Sequence, residues 1–136
     1  MSKRSVPRPG VVLASCIVLA AEFGLVAVAV GYLVVELIVA TPTSMPTAVA
    51  LLVVALLAAA ALAAIAIGLW RGAAWARSAG VVWQILQFAV GIGAFQGALP
   101  QPAWGWPLCL ASIVGVVLLL SKPVREWCDR TDEVVR

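Results

Sequence analysis

The chain of 136 residues has no histidine and no asparagine, and it carries only six acidic side chains. Without histidine it lacks the commonest general base and metal ligand. Without asparagine it cannot carry an N-linked glycan. It also has none of the short motifs for zinc hydrolysis, disulfide exchange, serine hydrolysis or phosphate binding. These absences argue against an enzyme, a metal site and a bound cofactor.

Positive charge is confined to three short stretches of the sequence. Of the nine Lys and Arg residues, three lie in residues 1–10, two in 71–78 and four in 122–136. Because short cytoplasmic segments of membrane proteins collect Lys and Arg, this distribution predicts that both termini and the second loop are cytoplasmic. The basic residues are dispersed at helix ends, so the net charge of +3 does not indicate a nucleic-acid partner.

The composition is that of a membrane protein, with 64% hydrophobic and 11% charged residues. A helix needs roughly 20 apolar residues to cross a bilayer. The sequence predicts an all-α, up-down bundle within residues 11–121, between a basic N-terminal segment (1–10) and a tail (122–136). Arginine outnumbers lysine, and Ala, Val and Gly are abundant, which favours a multi-pass protein of a bacterial plasma membrane. The four predicted transmembrane helices are residues 11–40, 48–70, 79–97 and 106–121.

Helix ends are indicated by proline, glycine and tryptophan. Residues 41–47 form an uncharged loop in which Thr47 is positioned to cap the second helix, and Pro107 suits the first turn of the fourth. The tail has apolar residues at helical spacing, which fits either an amphipathic interfacial helix or a frayed, solvated end. Aromatic rings beside cations, or close to a loop, predict these interfacial anchors: Trp70, Arg71, Trp75, Arg77, Trp104 and Trp106.

The least expected residue is Glu22, an acid inside the first predicted helix. It follows Val11 by 11 residues, which places it about 16 Å deep, near the midplane of a ~30 Å hydrocarbon core. An acid at that depth costs roughly 2.5–3.5 kcal/mol on insertion scales. Ser15, Ala29 and Glu36 share its stripe at intervals of seven, so we expect this face to pack against other helices.

Two glutamines of the third predicted helix are the expected partners of Glu22. Gln84 and Gln87 lie about 8 and 12 Å above Ala79 on the same side of the membrane, at a similar depth. A glutamine amide can donate to and accept from a protonated carboxyl group. We therefore predict an intramembrane polar cluster of Glu22, Gln84 and Gln87. Glu22 is either a neutral acid that holds helices together or a carboxylate that binds protons or cations.

Residues 69–97 resemble a group of small four-helix integral membrane proteins of actinobacteria. The group carries a Glu in helix one, a Trp-Ala-Arg turn, a Trp-Gln pair in helix three and a Leu-rich last helix that ends in Ser-Pro. Lys122 before Pro123 departs from that ending. The resemblance implies the topology and no mechanism. The corresponding residues here are Glu22, Trp75-Ala76-Arg77, Trp83-Gln84 and Leu118-Leu119-Leu120-Ser121.

A weaker likeness is to the small multidrug-resistance transporters, which are dimers of four-helix subunits. Residues 20–24 (AAEFG) and Trp83 are similar to that family's pattern. The likeness implies that Glu22 exchanges protons for cationic drugs. The long first helix, the basic second loop and the absence of the family's other motifs depart from it.

Two functions follow from these patterns. The first is a non-catalytic membrane protein in the lipid bilayer, either an accessory or scaffold subunit of a larger complex or a homo-oligomer. The alternative is a proton-coupled small transporter that uses Glu22. A structural acid should tolerate replacement by Gln, whereas a proton carrier should lose activity.

Overall fold

The computed structural model describes residues 8–40, 42–96 and 100–135, and in that part the chain is helical, with no strand. The predicted basic segment falls largely outside the described residues, because residues 1–7 are not among them. The side chains of residues 132 and 135 are also outside the description. The helices are α1 (Gly10–Val39), α2 (Met45–Trp70), α3 (Ala74–Gln96), α4 (Pro102–Leu120) and α5 (Lys122–Val135).

Helices α1 to α4 are long and apolar enough to cross a membrane. Each packs antiparallel to its neighbour in sequence, and α4 returns to contact α1, which closes the ring of an up-down bundle. We call the end near Gly10 and Leu120 the termini side, and the end near Val39 and Pro102 the far side. The short helix α5 folds back against α1, α3 and α4 at the termini side.

Three helices begin earlier than the sequence predicted. Helix α2 begins at Met45 after the N-cap Ser44, so Thr47 lies inside its first turn and does not cap it. Helix α3 begins at Ala74 and not at residue 79, because 74–78 consists mainly of good helix formers. Helix α4 begins at Pro102, so placing Pro107 in its first turn is wrong. Pro107 lies inside α4, a position that membrane helices tolerate when neighbouring groups satisfy the freed backbone.

The connection between α2 and α3 is only three residues long because α2 ends in a Schellman motif. The Ala73 N–H donates to the Gly68 carbonyl and the Gly72 N–H to the Leu69 carbonyl. Gly72 has φ +76°, a left-handed conformation that disfavours any residue with a side chain. A Cβ atom at Gly72 would also overlap the Thr131 side chain of α5. This turn therefore joins α2, α3 and α5.

The hydrophobic core lies on the termini side. Its members come from α1, α2, α3, α4 and α5, and the α5 residues Val124 and Cys128 are fully buried in it. The tail is therefore an amphipathic helix, and its apolar face packs on the bundle itself. Its other core members are Val12, Cys16, Leu19, Leu62, Ile65, Leu69, Ala76 and Leu119.

The far side is packed differently in the two helical hairpins. Residues 23–39 of α1 and 45–61 of α2 include no buried residue. In contrast, the α3–α4 hairpin buries Gly91, Gly105 and Cys109 there. Of the stripe predicted to pack against other helices, Ser15 and Glu22 are buried within the bundle, whereas Ala29 and Glu36 are exposed, and for these two the contact with another helix stays a prediction.

Candidate functional site: a buried carboxyl–amide pair

The centre of the bundle holds a hydrogen-bonded pair between α1 and α3. The Gln84 Nε2 donates to both carboxyl oxygens of Glu22, at 3.1 Å each. Glu22 is 6% exposed and Gln84 is fully buried. Glu22 is also the last buried residue of α1 before the far half of that helix becomes exposed. The pair thus lies where the packed core ends.

Helix α4 fixes the position of the Gln84 side chain. A Cβ atom at Gly115 would lie 2.6 Å from Gln84 Nε2 and 2.7 Å from Oε1, closer than nonbonded atoms approach. A side chain at this position would have to displace the amide. One turn away on α4, Ser112 is buried and satisfies its hydroxyl by donating to the Leu108 carbonyl at 2.8 Å. Ser15 on α1 does the same with the Val11 carbonyl at 2.9 Å.

One polar atom of the pair remains without a partner. Gln84 Oε1 is buried and accepts no hydrogen bond from any described residue. A buried acceptor without a donor costs roughly 1–3 kcal/mol. A carboxyl proton on Glu22, or a water molecule, is the kind of donor that such an oxygen needs. Protonation of Glu22 would therefore supply a donor next to this oxygen.

Gln87 lies beside this pair, within interaction distance of the Glu22 carboxyl group. Its Oε1 accepts a hydrogen bond from the Trp83 Nε1 of the same helix, at 3.2 Å and one turn away. The three residues predicted as a cluster therefore lie together, with one hydrogen bond between helices, from Gln84 to Glu22, and one within α3, from Trp83 to Gln87. Trp83 was not predicted to belong to this cluster.

Of the residues predicted as anchors on the termini side, Trp70 contacts Arg8, which precedes α1. The Arg8 guanidinium lies 4.1 Å from the centre of the Trp70 ring and 6.0 Å from that of Trp127, a cation–π arrangement. Trp75 packs over Gly68, where a Cβ atom would come within 2.9 Å of its ring. Arg71 is exposed and Arg77 half-buried at this same end.

The far-side anchors behave as exposed aromatic side chains. Trp104 and Trp106 are 63% and 64% exposed in the first turns of α4. Trp106 also makes an edge-to-face contact with Phe95 of α3, with ring centres 5.4 Å apart. Exposed indoles at a helix end suit the headgroup depth of a bilayer.

Several contacts of the site were not predicted from the sequence. Gly115 and Ser112 lie in an apolar run, and nothing local marks them as neighbours of Gln84. The docking of α5 was also missed, although its Trp127 Nε1 donates to the Leu69 carbonyl at 3.3 Å. The apolar residues of the tail at intervals of three and four were the signal, but they did not specify the surface that covers them.

Chemical groups for metal binding are not gathered in the described part of the chain. Among those residues no three His, Cys, Asp or Glu side chains lie close enough to hold a metal ion. No family model matches the chain, and comparison with curated proteins and with solved structures also gives no match.

Proposed function

We propose that this is a small, non-catalytic integral membrane protein that works as an accessory or scaffold subunit, or as a homo-oligomer. The proposal places it as a multi-pass protein of a bacterial plasma membrane, with the termini side cytoplasmic. The distribution of Lys and Arg supports that orientation. The resemblance of residues 69–97 to the actinobacterial four-helix group supports the same topology.

The observation that carries the proposal is the unpacked far half of the α1–α2 hairpin. Val28 is 72% exposed, Leu25 is 66% and Leu57 is 65%. Gly24 and Gly31, seven residues apart on α1, have no described atom within 4 Å of an added Cβ. Because helices associate in lipid where small residues allow close approach, this face is suited to another transmembrane helix.

A photocrosslinking experiment in native membranes tests this. A photoreactive amino acid at Val28 should give crosslinks to a second copy or to another membrane protein. Val117 of α4, which is 64% exposed, is the matched control and should crosslink mainly to lipid. Native mass spectrometry of gently purified protein then separates a homo-oligomer from a larger complex. Equal lipid-only products at both positions, together with a monomeric mass, would contradict the proposal.

The second candidate is a proton-coupled small transporter that uses Glu22. It is favoured by the buried Gln84 Oε1, which lacks a donor in the described part of the chain. Under this proposal a proton on Glu22 alternates with a cation on the same carboxylate. In proteoliposomes, Glu22→Gln should abolish proton flux driven by lipophilic cations, and Glu126→Gln in α5 should leave it unchanged. Flux that survives Glu22→Gln would return Glu22 to a packing role.

A further inference from the structure

A second polar site lies at the far side, where the end of α1 meets the beginning of α2. A pocket of about 390 Å³ opens there between the two helices. One carboxyl group and several hydroxyl groups line its polar part, and leucines line the part nearer the bilayer centre. The residues on which the argument rests are Glu36, Ser44, Thr47, Leu33, Leu37 and Leu51.

Glu36 forms no ion pair with a Lys or Arg in the described part of the chain. Residues 9–70 and 78–121 contain no Lys or Arg. The nearest basic residue along α1 is Arg8, which precedes the helix, and Glu36 follows Gly10 by 26 residues, about 39 Å of helix. The described basic residues of 71–78 and of α5 also lie at the termini side. Glu36 is thus free to pair with a cation that a ligand brings.

The other groups around the pocket are mostly hydrogen-bond acceptors. The last carbonyls of α1 have no intrahelical donors, and a helix C-terminus carries partial negative charge. Ser44 Oγ and Thr47 Oγ1 lie 2.9 Å apart. Both residues line the pocket and are exposed, so their hydroxyl oxygens can accept a hydrogen bond from a ligand. A carboxylate, hydroxyl oxygens and carbonyls together suit a primary ammonium group, which has three N–H donors.

The depth and the apolar floor indicate where this ammonium group comes from. About 39 Å from the start of α1, Glu36 lies beyond a ~30 Å hydrocarbon core and within the headgroup layer. Leu33 and Leu51 line the part of the pocket nearer the bilayer centre and give an apolar surface to the glycerol end of a lipid. The N-terminus of α2, with its partial positive charge, borders the pocket on the side where a phosphate can follow the amine.

We propose that this pocket binds the primary-ammonium headgroup of a bilayer lipid of the phosphoethanolamine type. This inference goes beyond the proposed function and does not depend on it. A subunit, a homo-oligomer or a transporter would each keep such a lipid at the far end of the α1–α2 hairpin.

The test is native mass spectrometry of the full chain in detergent with equal amounts of three lipids that share the same acyl chains. These are phosphatidylethanolamine, phosphatidylcholine and phosphatidylglycerol. An exposed ion pair predicts that the ethanolamine lipid binds about threefold more than the other two. Glu36→Gln should remove the preference, and Glu133→Gln, which neutralises an exposed acid of α5, should retain it.

A second variant keeps the charge and fills the space. Ala48 lines the pocket and is half-buried, so Ala48→Phe should remove the preference while Glu36 remains. Circular dichroism and the melting temperature check that each variant folds. Equal binding of the three lipids by the unaltered protein, or a preference that survives either pocket variant, would overturn the proposal. Loss of the preference on adding millimolar free ethanolamine would assign the pocket to soluble amines and would also overturn it.

Discussion

The two helical hairpins of this protein differ in burial on the far side: α3–α4 has buried residues there and α1–α2 has none. The α3–α4 hairpin is closed there by glycine, since Gly91 and Gly105 let the two backbones approach. The α1–α2 hairpin is rich in alanine and leucine. None of residues 23–39 of α1 and none of residues 45–61 of α2 is buried. The same bundle is thus tightly packed across four helices on the termini side and divided into two hairpins on the far side.

This difference teaches that apolar composition does not decide which membrane helices pack. In lipid, leucine gains little from leaving the solvent, so packing depends on close approach and on polar contacts. Glu22 and Gln84 supply the polar contact at the level where the hairpins part, and Gly115 supplies the space. Farther toward the far side, α1 and α2 present no buried polar contact and no buried small residue to α3 and α4.

The largest expected effect separates the two halves of α2. Leu62 is fully buried, and Leu62→Ala should lower the free energy of unfolding by about 2–5 kcal/mol, since a cavity remains. Leu57 lies five residues earlier and is 65% exposed. Leu57→Ala should therefore change the free energy of unfolding by less than about 0.5 kcal/mol. Unfolding in mixed micelles, followed by circular dichroism, measures both. Equal losses would mean that the far half of α2 is packed as well as the termini side.

The next effect tests the glycine beside the buried amide. Gly115→Ala should lower the free energy of unfolding by about 1–3 kcal/mol, because the added methyl displaces Gln84. Gly93→Ala is the matched control, since no described atom lies within 4 Å of the new methyl. That change should be neutral or stabilise by up to about 1 kcal/mol, because alanine favours helix. If both variants were neutral, Gly115 would not set the position of the pair.

The sequence was sufficient for the features that depend on local hydrophobicity. Four helices long enough to span a membrane follow from run length alone, and the helix–helix partner of Glu22 followed from its depth relative to Gln84. Both quantities need only the rise of a helix and a common starting side. Helix starts were less predictable, because Ala74–Ser78 can be read either as a loop between anchors or as a first turn.

The parting of the hairpins was beyond the sequence. Ala29 and Glu36 continue the stripe of Ser15 and Glu22 at the same spacing, yet only the first two are buried. Spacing gives the direction of a side chain about one helix, whereas burial depends on how far the neighbouring helix lies. That distance depends on the neighbouring helices and cannot be read from the spacing along α1.

A smaller effect is expected at the turn that holds α5. Gly72→Ala forces alanine into a left-handed conformation against Thr131 and should cost about 1–2 kcal/mol. The readout is alkylation of Cys128, which is fully buried. Burial, which outweighs the opposing effect of Arg77, raises the pKa of the Cys128 thiol. A raised pKa means less thiolate at pH 8, so labelling should be slow in the unaltered protein and should quicken as the pH rises.

Gly72→Ala should speed the labelling of Cys128 several-fold by loosening α5 from the bundle. Gly10→Ala is the control, because an added methyl at Gly10 meets no described atom within 4 Å. Cys16 and Cys109 are first replaced by alanine, so that Cys128 is the one thiol that can be labelled. An unchanged labelling rate would show that α5 holds its place without this turn.

The smallest expected effect concerns the single hydrogen bond between α5 and α2. Trp127→Phe removes the Nε1 donor that reaches the Leu69 carbonyl and keeps an aromatic ring near Arg8. Because that carbonyl already accepts from the Gly72 N–H, the loss should be about 0.5–1 kcal/mol, within the net value of one hydrogen bond. It should appear as a modest rise in Cys128 labelling, below that of Gly72→Ala, with no change in the unfolding of α1 to α4. A rise as large as that of the glycine variant would mean that Trp127, and not the turn, holds α5 on the termini side.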